Sequence, residues 1–429
     1  MPRPTYHSTR STDEALPFAE ALIRGLAPDG GLYIPTAIPE LSETGWKTAD
    51  DFTTLAQGVL RAWLACEVEG DVLDDLVADA LNFPVPLVPL TGRWGGVHVL
   101  ELFHGPTLSF KDFGARTMAR LMGHFLGQRG QQRTILVATS GDTGSAVADG
   151  FAGIDGIEVV LLYPKGKVSP TQEQQLIVER PGVRTFAVDG VFDDCQRMVK
   201  AAFIDPDLKN ARLSSANSIN IGRLLPQMLY YIWAIKQLGP ATVCVPSGNL
   251  GNLTGGLFAQ AGGVPIQQFV AAHNANDFFP HYLADDPNAA FAATVPTLSN
   301  AMDVGAPSNF ERLDTLFGAE TLRQRVLGHA VTDDATLATM RAIADETGYI
   351  ACPHTAVGLT AVQRLREAED IEEPVVVMAT AHPAKFPDIV ERATGSRPPV
   401  PAGLAELANR PTRVTAIAPT LSALKAVLA

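Results

Sequence analysis

The sequence of 429 residues predicts an α/β protein in which parallel sheets follow a mainly helical N-terminal domain. From about residue 133 onward, short apolar runs alternate with helical patterns. The runs are almost continuously apolar, as is typical of parallel strands that are covered on both faces. The first 95 residues instead hold amphipathic helical patterns, in TDEALPFAEALIRGL and DDFTTLAQGVLRAWL, without the alternation of a strand.

Buried strands are predicted at 133–139, 157–164, 183–190, 241–246, 266–274 and 373–381. Helices are predicted at 145–153, 169–180 and 191–203. The second of these has the clearest start, because Ser169 can cap it, Pro170 suits the first helical position and Gln172 completes a capping box. Ligands of such folds bind beyond the carboxyl ends of the strands, so we expect functional residues in the loops that follow them.

Composition narrows the possible functions. The formal net charge of −13 argues against a nucleic-acid partner, which needs a basic face. The four cysteines form no C-x-x-C pair, so neither a zinc site nor a redox pair is predicted, and no metal is expected. No apolar run is long enough to span a bilayer, and the N-terminus lacks the apolar core of a signal peptide. We therefore expect a cytoplasmic protein without a membrane partner.

The segment HGPTLSFKDFGARTM places one lysine, Lys111, among aromatic residues. Ser109 is expected to cap a helix here, with Asp112 three residues later, so that Lys111 lies in the first turn. The helix dipole and burial beside Phe110 and Phe113 both disfavour an ammonium there, whereas Asp112 opposes this effect. A neutral amine suits a Schiff base with an aldehyde. The alternative is a lysine that snorkels at a helix edge.

Two glycine-rich loops follow predicted strands and open helices, in ATSGDTGSAV and VPSGNLGNLTGG. In the first loop, four backbone N–H groups can converge on an anion, those of Gly141, Asp142, Thr143 and Gly144. In the second loop, Gly248 and Gly251 permit close backbone approach. No Walker lysine accompanies either loop. Together with Lys111, the loops indicate a phosphorylated aldehyde cofactor, pyridoxal 5′-phosphate (PLP).

Two further segments carry candidate residues. In VVVMATAHPAKF, the strand ends near Thr380, whose hydroxyl could meet a ring nitrogen. Lys385, just beyond, is the rival to Lys111 for the Schiff base but is expected to be a surface lysine. The segment ANSINIGRLLPQ offers Ser218 and Arg223, which could bind a second phosphate, the arginine as a charged fork.

Taken in order, these segments resemble the threonine synthase family, in its microbial and fungal branch. The motifs that carry the resemblance are YHSTRS, FAEALIRGLAPDGGLYIP, HGPTLSFKDFGA, TSGDTGSA, NSINIGRLLPQ, PSGNLGN and TAHPAKF. They span nearly the whole chain. The resemblance implies the fold-type II architecture of PLP enzymes, which is like that of tryptophan synthase β. We expect an N-terminal domain at 1–95, a large PLP-binding α/β domain at 96–112 and 226–429, and a smaller α/β domain able to move at 113–225.

The resemblance also implies roles for particular residues. Lys111 would carry the Schiff base and act as the catalytic residue. The cofactor would contact Asp142, Gly248, Asn249, Leu250, Gly251, Asn252 and Thr380. The substrate would contact Ser109, Ser140, Gly141, Thr143, Ser218, Asn220, Arg223 and Asn249. Asp142 stands where many relatives have an asparagine near the phenolic oxygen of the cofactor, and an ionised aspartate cannot donate the same hydrogen bond.

The reaction that the resemblance implies converts O-phosphohomoserine and water to L-threonine and phosphate, in a monomer or homodimer. One alternative is another activity of the same fold, a phospholyase that gives 2-oxobutyrate or a dehydratase. A second is a sensor that binds amino-acid phosphates without catalysis, although an intact Lys111 argues against it. A third is a sugar-phosphate enzyme that lacks PLP.

Overall fold

A computed structural model describes residues 4–139 and 141–428. The strands in this part of the chain are β1 (Tyr6–Ser8), β2 (Tyr33–Pro35), β3 (Leu87–Pro89), β4 (Val97–Glu101), β5 (Arg133–Ala138), β6 (Ile157–Pro164), β7 (Val183–Val188), β8 (Leu213–Ser214), β9 (Ala241–Pro246), β10 (Ile266–His273), β11 (Val326–Ala330), β12 (Val375–Ala379) and β13 (Thr415–Ile417). The α-helices are α1 (Phe18–Arg24), α2 (Phe52–Leu64), α3 (Gly70–Ala80), α4 (Lys111–Arg129), α5 (Asp142–Phe151), α6 (Pro170–Ile177), α7 (Phe192–Ile204), α8 (Ile221–Leu224), α9 (Met228–Leu238), α10 (Gly251–Ala261), α11 (Phe278–Leu283), α12 (Phe310–Arg325), α13 (Asp333–Thr347), α14 (Pro353–Glu367), α15 (Pro387–Thr394), α16 (Ala402–Leu407) and α17 (Leu421–Leu428).

Two largely parallel sheets form the body of the molecule, so the predicted α/β class is confirmed. One sheet has the order β11-β10-β9-β12-β4-β3, in which only the edge pair β3–β4 is antiparallel. The other has the order β13-β7-β6-β5-β8, with every pair parallel. Central strands such as β9 and β12 are buried along their whole length, which explains why their sequences are apolar without alternation.

Local sequence signals predicted the bounds of several strands and helices closely. The strands predicted at 157–164 and 241–246 have those bounds. The helix predicted from 169 begins as expected, because the Ser169 side chain accepts a hydrogen bond from Gln172 N and the Gln172 side chain accepts one from Ser169 N. Such reciprocal capping satisfies two backbone donors that a helix end otherwise leaves without partners.

The N-terminal region packs its helices against the body, as the amphipathic patterns predict. Phe52 of α2 makes edge-to-face contacts with Phe113 of α4 and with Trp233 of α9. Each aromatic pair of this kind contributes about 0.5–1.5 kcal/mol beyond the burial of its surface. The sequence did not reveal the antiparallel pair β1–β2, because its strands of three residues are too short to show alternation. The contact between Phe52 and Phe113 packs α2 against one side of α4, the helix that begins at Lys111.

The sheets differ from the sequence-based domain division at two points. Strand β3, within the range assigned to the N-terminal domain, pairs with β4 in the six-stranded sheet. Strand β13, within the range assigned to the large domain, pairs with β7 at the edge of the five-stranded sheet. Helix α17 follows it and packs near α7. A short strand at the end of a chain carries no local signal of which sheet edge it will cover, so the sequence could not place β13.

The two sheets bring three strand ends to one cleft. The ends of β5 and β9 and the residue after β12 all line it, as Ala138, Pro246 and Thr380. The starts of helices α4, α5 and α10 lie at the same cleft. This is the location that ligand sites of parallel α/β folds occupy. Among the described residues, none of the helices has the length and apolar character needed to cross a membrane.

Candidate active site

The cleft encloses a cavity of about 210 Å³ that contains most of the residues predicted from the sequence. The predicted residues that line it are Lys111, Asp142, Thr143, Ser218, Arg223, Gly248, Asn249, Leu250, Gly251, Asn252 and Thr380. Ser109, Gly141 and Asn220 do not line it. Ser140 lies outside the described residues. Folding therefore brings together, in one cavity, four segments that are far apart in the sequence.

Lys111 occupies the first position of α4, which confirms the predicted first-turn location. The preceding residue is anchored by a hydrogen bond of 2.9 Å from Phe110 N to Thr380 O. The Lys111 ammonium lies 5.0 Å from the centroid of the Phe110 ring. Burial lowers the pKa of Lys111 to about 8, against the nearby Asp142 carboxylate. A considerable fraction of this amine is therefore neutral near physiological pH.

The start of α4 is built differently from the prediction. Phe110 occupies the capping position, and no side chain caps the helix. Ser109 is completely buried, and its hydroxyl has no hydrogen-bond partner. Asp112 instead accepts hydrogen bonds from Thr107 N (2.9 Å) and Thr107 Oγ1 (2.6 Å), so it braces the turn before the helix. Burial raises the pKa of Asp112 to about 6. The predicted cap by Ser109 is wrong, because the carboxylate pairs with the preceding turn.

The loop from Gly248 to Asn252 leads into a helix start that no side chain caps. Leu250 adopts a left-handed conformation (φ 61°), after which α10 begins without a side-chain cap. Asn252 Oδ1 accepts hydrogen bonds from the hydroxyls of Tyr230 (2.6 Å) and Tyr231 (2.7 Å), which leaves its buried Nδ2 without a partner. An uncapped helix N-terminus with an additional unpaired donor favours a bound anion, such as a phosphate group.

The loop from Thr139 to Gly144 is only partly available to an anion. The Thr139 hydroxyl oxygen accepts hydrogen bonds from Gly141 N (3.0 Å) and Gly144 N (2.8 Å). These are two of the four backbone donors that were expected to converge on a ligand. The expectation of a four-donor cradle is therefore wrong. The threonine at the strand end satisfies part of the loop itself, and Thr139, Asp142 and Thr143 are the described residues of this loop that line the cavity.

Asp142 is a buried carboxylate held by a buried lysine. Its Oδ1 lies 2.9 Å from the Lys385 ammonium and accepts a hydrogen bond of 2.9 Å from Gln172 Nε2. Burial alone would raise the pKa of Asp142, but Lys385 and then Lys111 hold it well below its usual range. Lys385 is completely buried. The expectation of a surface lysine is therefore wrong, because folding places a carboxylate against it.

Arg223 is a buried cation with a free donor. It is only 2% exposed, and its guanidinium donates through Nη1 to Ala216 O, while Nε has no partner. Burial lowers the pKa of Arg223 to about 10. Within the described ranges, no carboxylate oxygen lies within the 4.0 Å of an ion pair from either Arg223 or Lys111. A buried cation without a carboxylate is costly unless an anionic ligand supplies the counter-charge.

The residues around Arg223 divide into cavity-facing and structural groups. Ser218 Oγ accepts hydrogen bonds from Asn249 Nδ2 (2.7 Å) and Asn309 Nδ2 (3.2 Å), so it joins the loop from Gly248 to Asn252 to this segment. Asn220 is completely buried and donates to the carbonyls of Leu22 and Ser215, each at 2.9 Å. The predicted role of Asn220 in substrate binding does not fit this geometry, because its amide is used by the protein itself.

Two parts of the cavity wall were missed by sequence reasoning. His354, in the first turn of α14, accepts a hydrogen bond of 3.1 Å from Ala301 N through Nε2. Burial lowers the pKa of His354 to about 4, so its ring is neutral. Asn300, beside Ala301, has a buried Oδ1 without a partner. The sequence ACPHTAVG places this histidine directly after a helix-starting proline, and that signal could have marked it.

Comparison with known proteins agrees with this geometry. Residues 81–381 match a family of pyridoxal-phosphate dependent enzymes, residues 5–81 match the N terminus of threonine synthase and residues 355–428 match its C-terminal region. A threonine synthase from Serratia marcescens is 44% identical over 94% of each chain. The chain belongs to the threonine synthase family. It is PLP-dependent and has the fold of that family.

Solved threonine synthases have the same architecture. The crystal structure from Escherichia coli superposes with a TM-score of 0.90 at 41% identity, over 99% of each chain. The PLP-bound structure from Brucella melitensis gives a TM-score of 0.92 at 34% identity, over 99% of this chain and 98% of that one. The fold-type II architecture expected from the motifs is thereby confirmed along the whole chain.

The cavity fits PLP on its own chemistry. The start of α10 supplies unpaired donors for a phosphate, and Asn252 Nδ2 adds a buried one. Lys111 supplies an amine with a lowered pKa for an aldehyde. Thr380 lines the cavity, and its hydroxyl makes no hydrogen bond to any described residue. One cavity thus holds hydrogen-bond donors for the phosphate, an amine that can react with the aldehyde and a hydroxyl that can meet the ring nitrogen.

We predict that Gly248→Ala weakens PLP binding. A methyl group at this position would lie 2.8 Å from Met302 Cα, so either the loop or the facing backbone must move. We expect at least a tenfold increase in the dissociation constant when the apoenzyme is titrated with PLP. Gly127→Ala in α4 is the control, because its methyl group meets no atom within 4 Å. Unchanged PLP affinity in Gly248→Ala would remove this loop from the cofactor site.

Proposed function

We propose that this chain converts O-phosphohomoserine and water to L-threonine and phosphate, and that the residues lining the cavity carry the reaction. The observation that supports the proposal is Arg223, a buried cation with an unpaired donor that is separate from the helix start at Gly251. A cofactor phosphate needs one anion site. A second one in the same cavity, at Arg223, suits a substrate that carries its own phosphate.

The protein positions the cofactor and the substrate around one lysine. PLP, when bound, supplies the electron sink that stabilises negative charge at Cα of the substrate. In our proposal, the loop from Gly248 to Asn252 holds the cofactor phosphate and Thr380 faces the pyridine nitrogen. A neutral hydroxyl at that position leaves the nitrogen largely unprotonated. Asp142 lies near Lys111, and Lys385 favours its ionised form. The Asp142 carboxylate therefore favours protonation of the Lys111 nitrogen, not of the pyridine nitrogen.

Lys111 is proposed to move the protons of the reaction. An amine whose pKa is about 8 can take protons from Cα and Cβ near neutral pH, and it can return protons at Cγ and, after water has added at Cβ, at Cα. The elimination of phosphate from Cγ and the addition of water at Cβ then need no other titrating group in contact with the substrate. His354 is neutral and accepts from Ala301 N, so its role is to hold the wall of the cavity rather than to transfer protons.

Arg223 and its neighbours are proposed to bind the substrate phosphate. Ser218 and Asn249 are already joined by a hydrogen bond of 2.7 Å, and Thr143 lines the same cavity. This group binds the phosphate before and after its release from Cγ, because the charge of the guanidinium favours both forms. The monomer or homodimer state and the cytoplasmic location stay predictions from the sequence.

The products decide between this function and the alternatives of the same fold. We expect the purified enzyme with PLP and O-phosphohomoserine to release phosphate and L-threonine in equal amounts. A phospholyase would release equal amounts of phosphate and 2-oxobutyrate, which a coupled reduction detects. Either 2-oxobutyrate as the main product or the absence of phosphate release would contradict the proposed function.

We predict that Arg223→Ala lowers kcat/KM for O-phosphohomoserine by roughly one to two orders of magnitude. Charge-assisted hydrogen bonds contribute about 1.5–3 kcal/mol each. PLP content should hardly change, since the cofactor phosphate lies at the start of α10. Arg223→Lys should recover only part of the loss, because an ammonium cannot reproduce the fork of a guanidinium.

The competing explanation is that Arg223 is only a structural group, through its hydrogen bond to Ala216 O. That explanation predicts a lower melting temperature together with normal kinetics in the folded fraction. Kinetics, PLP content and melting temperature should therefore be measured on the same preparation. Lost stability with unchanged kcat/KM would exclude Arg223 from the phosphate site.

A further inference from the structure

Lys385 is a second buried lysine beside the active-site cavity. It follows β12 and has no exposed surface. Its ammonium donates a hydrogen bond of 2.8 Å to Thr107 O and lies 2.9 Å from Asp142 Oδ1. Its own carbonyl accepts a hydrogen bond of 3.1 Å from Ser169 Oγ. Through its ammonium and its carbonyl, Lys385 thus connects the end of β12 in the six-stranded sheet to the starts of α5 and α6. These two helices follow β5 and β6 of the five-stranded sheet.

The same contacts reach the helix that carries Lys111. Thr107, whose carbonyl accepts from Lys385, donates through its N and its hydroxyl to Asp112. Asp112 follows Lys111 directly in the first turn of α4. Lys385 therefore lies between the turn that positions Lys111 and the carboxylate of Asp142.

The charged and titratable groups that influence Lys111 come from several elements. They are Asp142 at the start of α5, Lys385 after β12 and Arg223 in α8, with His354 of α14 and Asp112 of α4 itself close by. Asp142 is the carboxylate that favours the charged form of Lys111. In the described structure, however, Asp142 forms its ion pair with Lys385 and none with Lys111.

We propose that Lys385 is a positioning residue that holds the Asp142 carboxylate away from the Lys111 amine, so that Lys111 stays free to react with the PLP aldehyde. Two lysines and one carboxylate share this part of the cavity. The carboxylate can pair closely with only one of them. In the structure, the Asp142 carboxylate pairs with Lys385. That lysine is completely buried, and its ammonium also donates a hydrogen bond to Thr107 O. The inference rests on the proposed role of Lys111 in binding the cofactor.

Removal of the Lys385 cation leaves a buried carboxylate whose next available cation is Lys111. Asp142 keeps the attraction of Lys111 and its hydrogen bond from Gln172, and both favour its ionised form. Both changes raise the pKa of Lys111, because a repelling cation is lost and an attracting carboxylate is released. Each unit of increase lowers the neutral, reactive fraction of the amine about tenfold at a pH below its pKa.

The test is the rate at which full-length apoenzyme captures added PLP, followed by the visible absorbance of the bound cofactor. In Lys385→Met we expect capture at pH 7.5 to be slower than in the wild type by roughly ten- to a hundredfold. The difference should shrink as the pH approaches 10, where the Lys111 amine loses its proton in both proteins. Lys385→Arg should stay close to the wild type, because it keeps a cation beside Asp142.

A double variant separates this effect from a general loss of structure. In Lys385→Met with Asp142→Asn, the carboxylate that attracts Lys111 most directly is absent, so capture at pH 7.5 should be at least several-fold faster than in Lys385→Met alone. The melting temperature of each apoenzyme is measured in parallel. A purely structural role of Lys385 would lower the melting temperature without changing the pH dependence of capture.

Three results would overturn the inference. They are a wild-type capture rate in Lys385→Met, slow capture that a higher pH does not restore, and slow capture that persists in the double variant. The proposed role of Lys111 fails in a different way. If wild-type apoenzyme gains no visible absorbance with PLP, or if Lys111→Ala gains it normally, then the assignment of Lys111 itself is wrong.

Discussion

The active site depends on two cations, the partly buried Lys111 and the buried Arg223, that the described part of the protein does not neutralise. Lys111 and Arg223 lie in one cavity, and no carboxylate of the described chain forms an ion pair with either. Burial lowers the pKa of each, to about 8 and about 10. In an ordinary core this arrangement would be a defect. Here it leaves an amine that can react and a guanidinium that can bind a phosphate, and the rest of the fold keeps competing carboxylates away.

The two sheets make this arrangement possible. Strands β5, β9 and β12 end at the same cleft, so the loops that follow them meet although they are far apart in sequence. The start of α10 contributes unpaired backbone donors without adding a charge. The ion pair between Lys385 and Asp142 crosses from one sheet to the other and brings a balanced pair of charges, which costs less to bury than a single carboxylate.

Sequence reasoning succeeded where the signal was local. The place of Lys111 in the first turn of a helix could be predicted from its local sequence, whereas its role as the Schiff-base lysine stays a prediction. The glycine-rich loop at Gly248 could be placed between a strand and a helix, whereas its role as an anion site stays a prediction. The fold class followed from the alternation of apolar strands with helices, since that pattern is read within short segments.

Sequence reasoning failed where a role depends on a distant partner. Lys385 stands in a short segment after a strand that indicates no partner for it, and only the fold shows that Asp142 lies against it. Asn220 has the composition of a ligand-binding residue, but carbonyls of Leu22 and Ser215 use its amide. His354 was missed because its contact, Ala301, lies on another loop.

The central claim is that Lys111, rather than Lys385, binds the cofactor. Both lysines are near Asp142, Lys385 completely buried and Lys111 partly buried, so their chemistry must be compared directly. Borohydride reduction of the enzyme with bound PLP, followed by digestion and mass spectrometry, identifies the lysine to which the cofactor is attached. Our account predicts that the cofactor is found on the peptide that contains Lys111. Its attachment to Lys385, or the absence of a covalent adduct, would contradict the account.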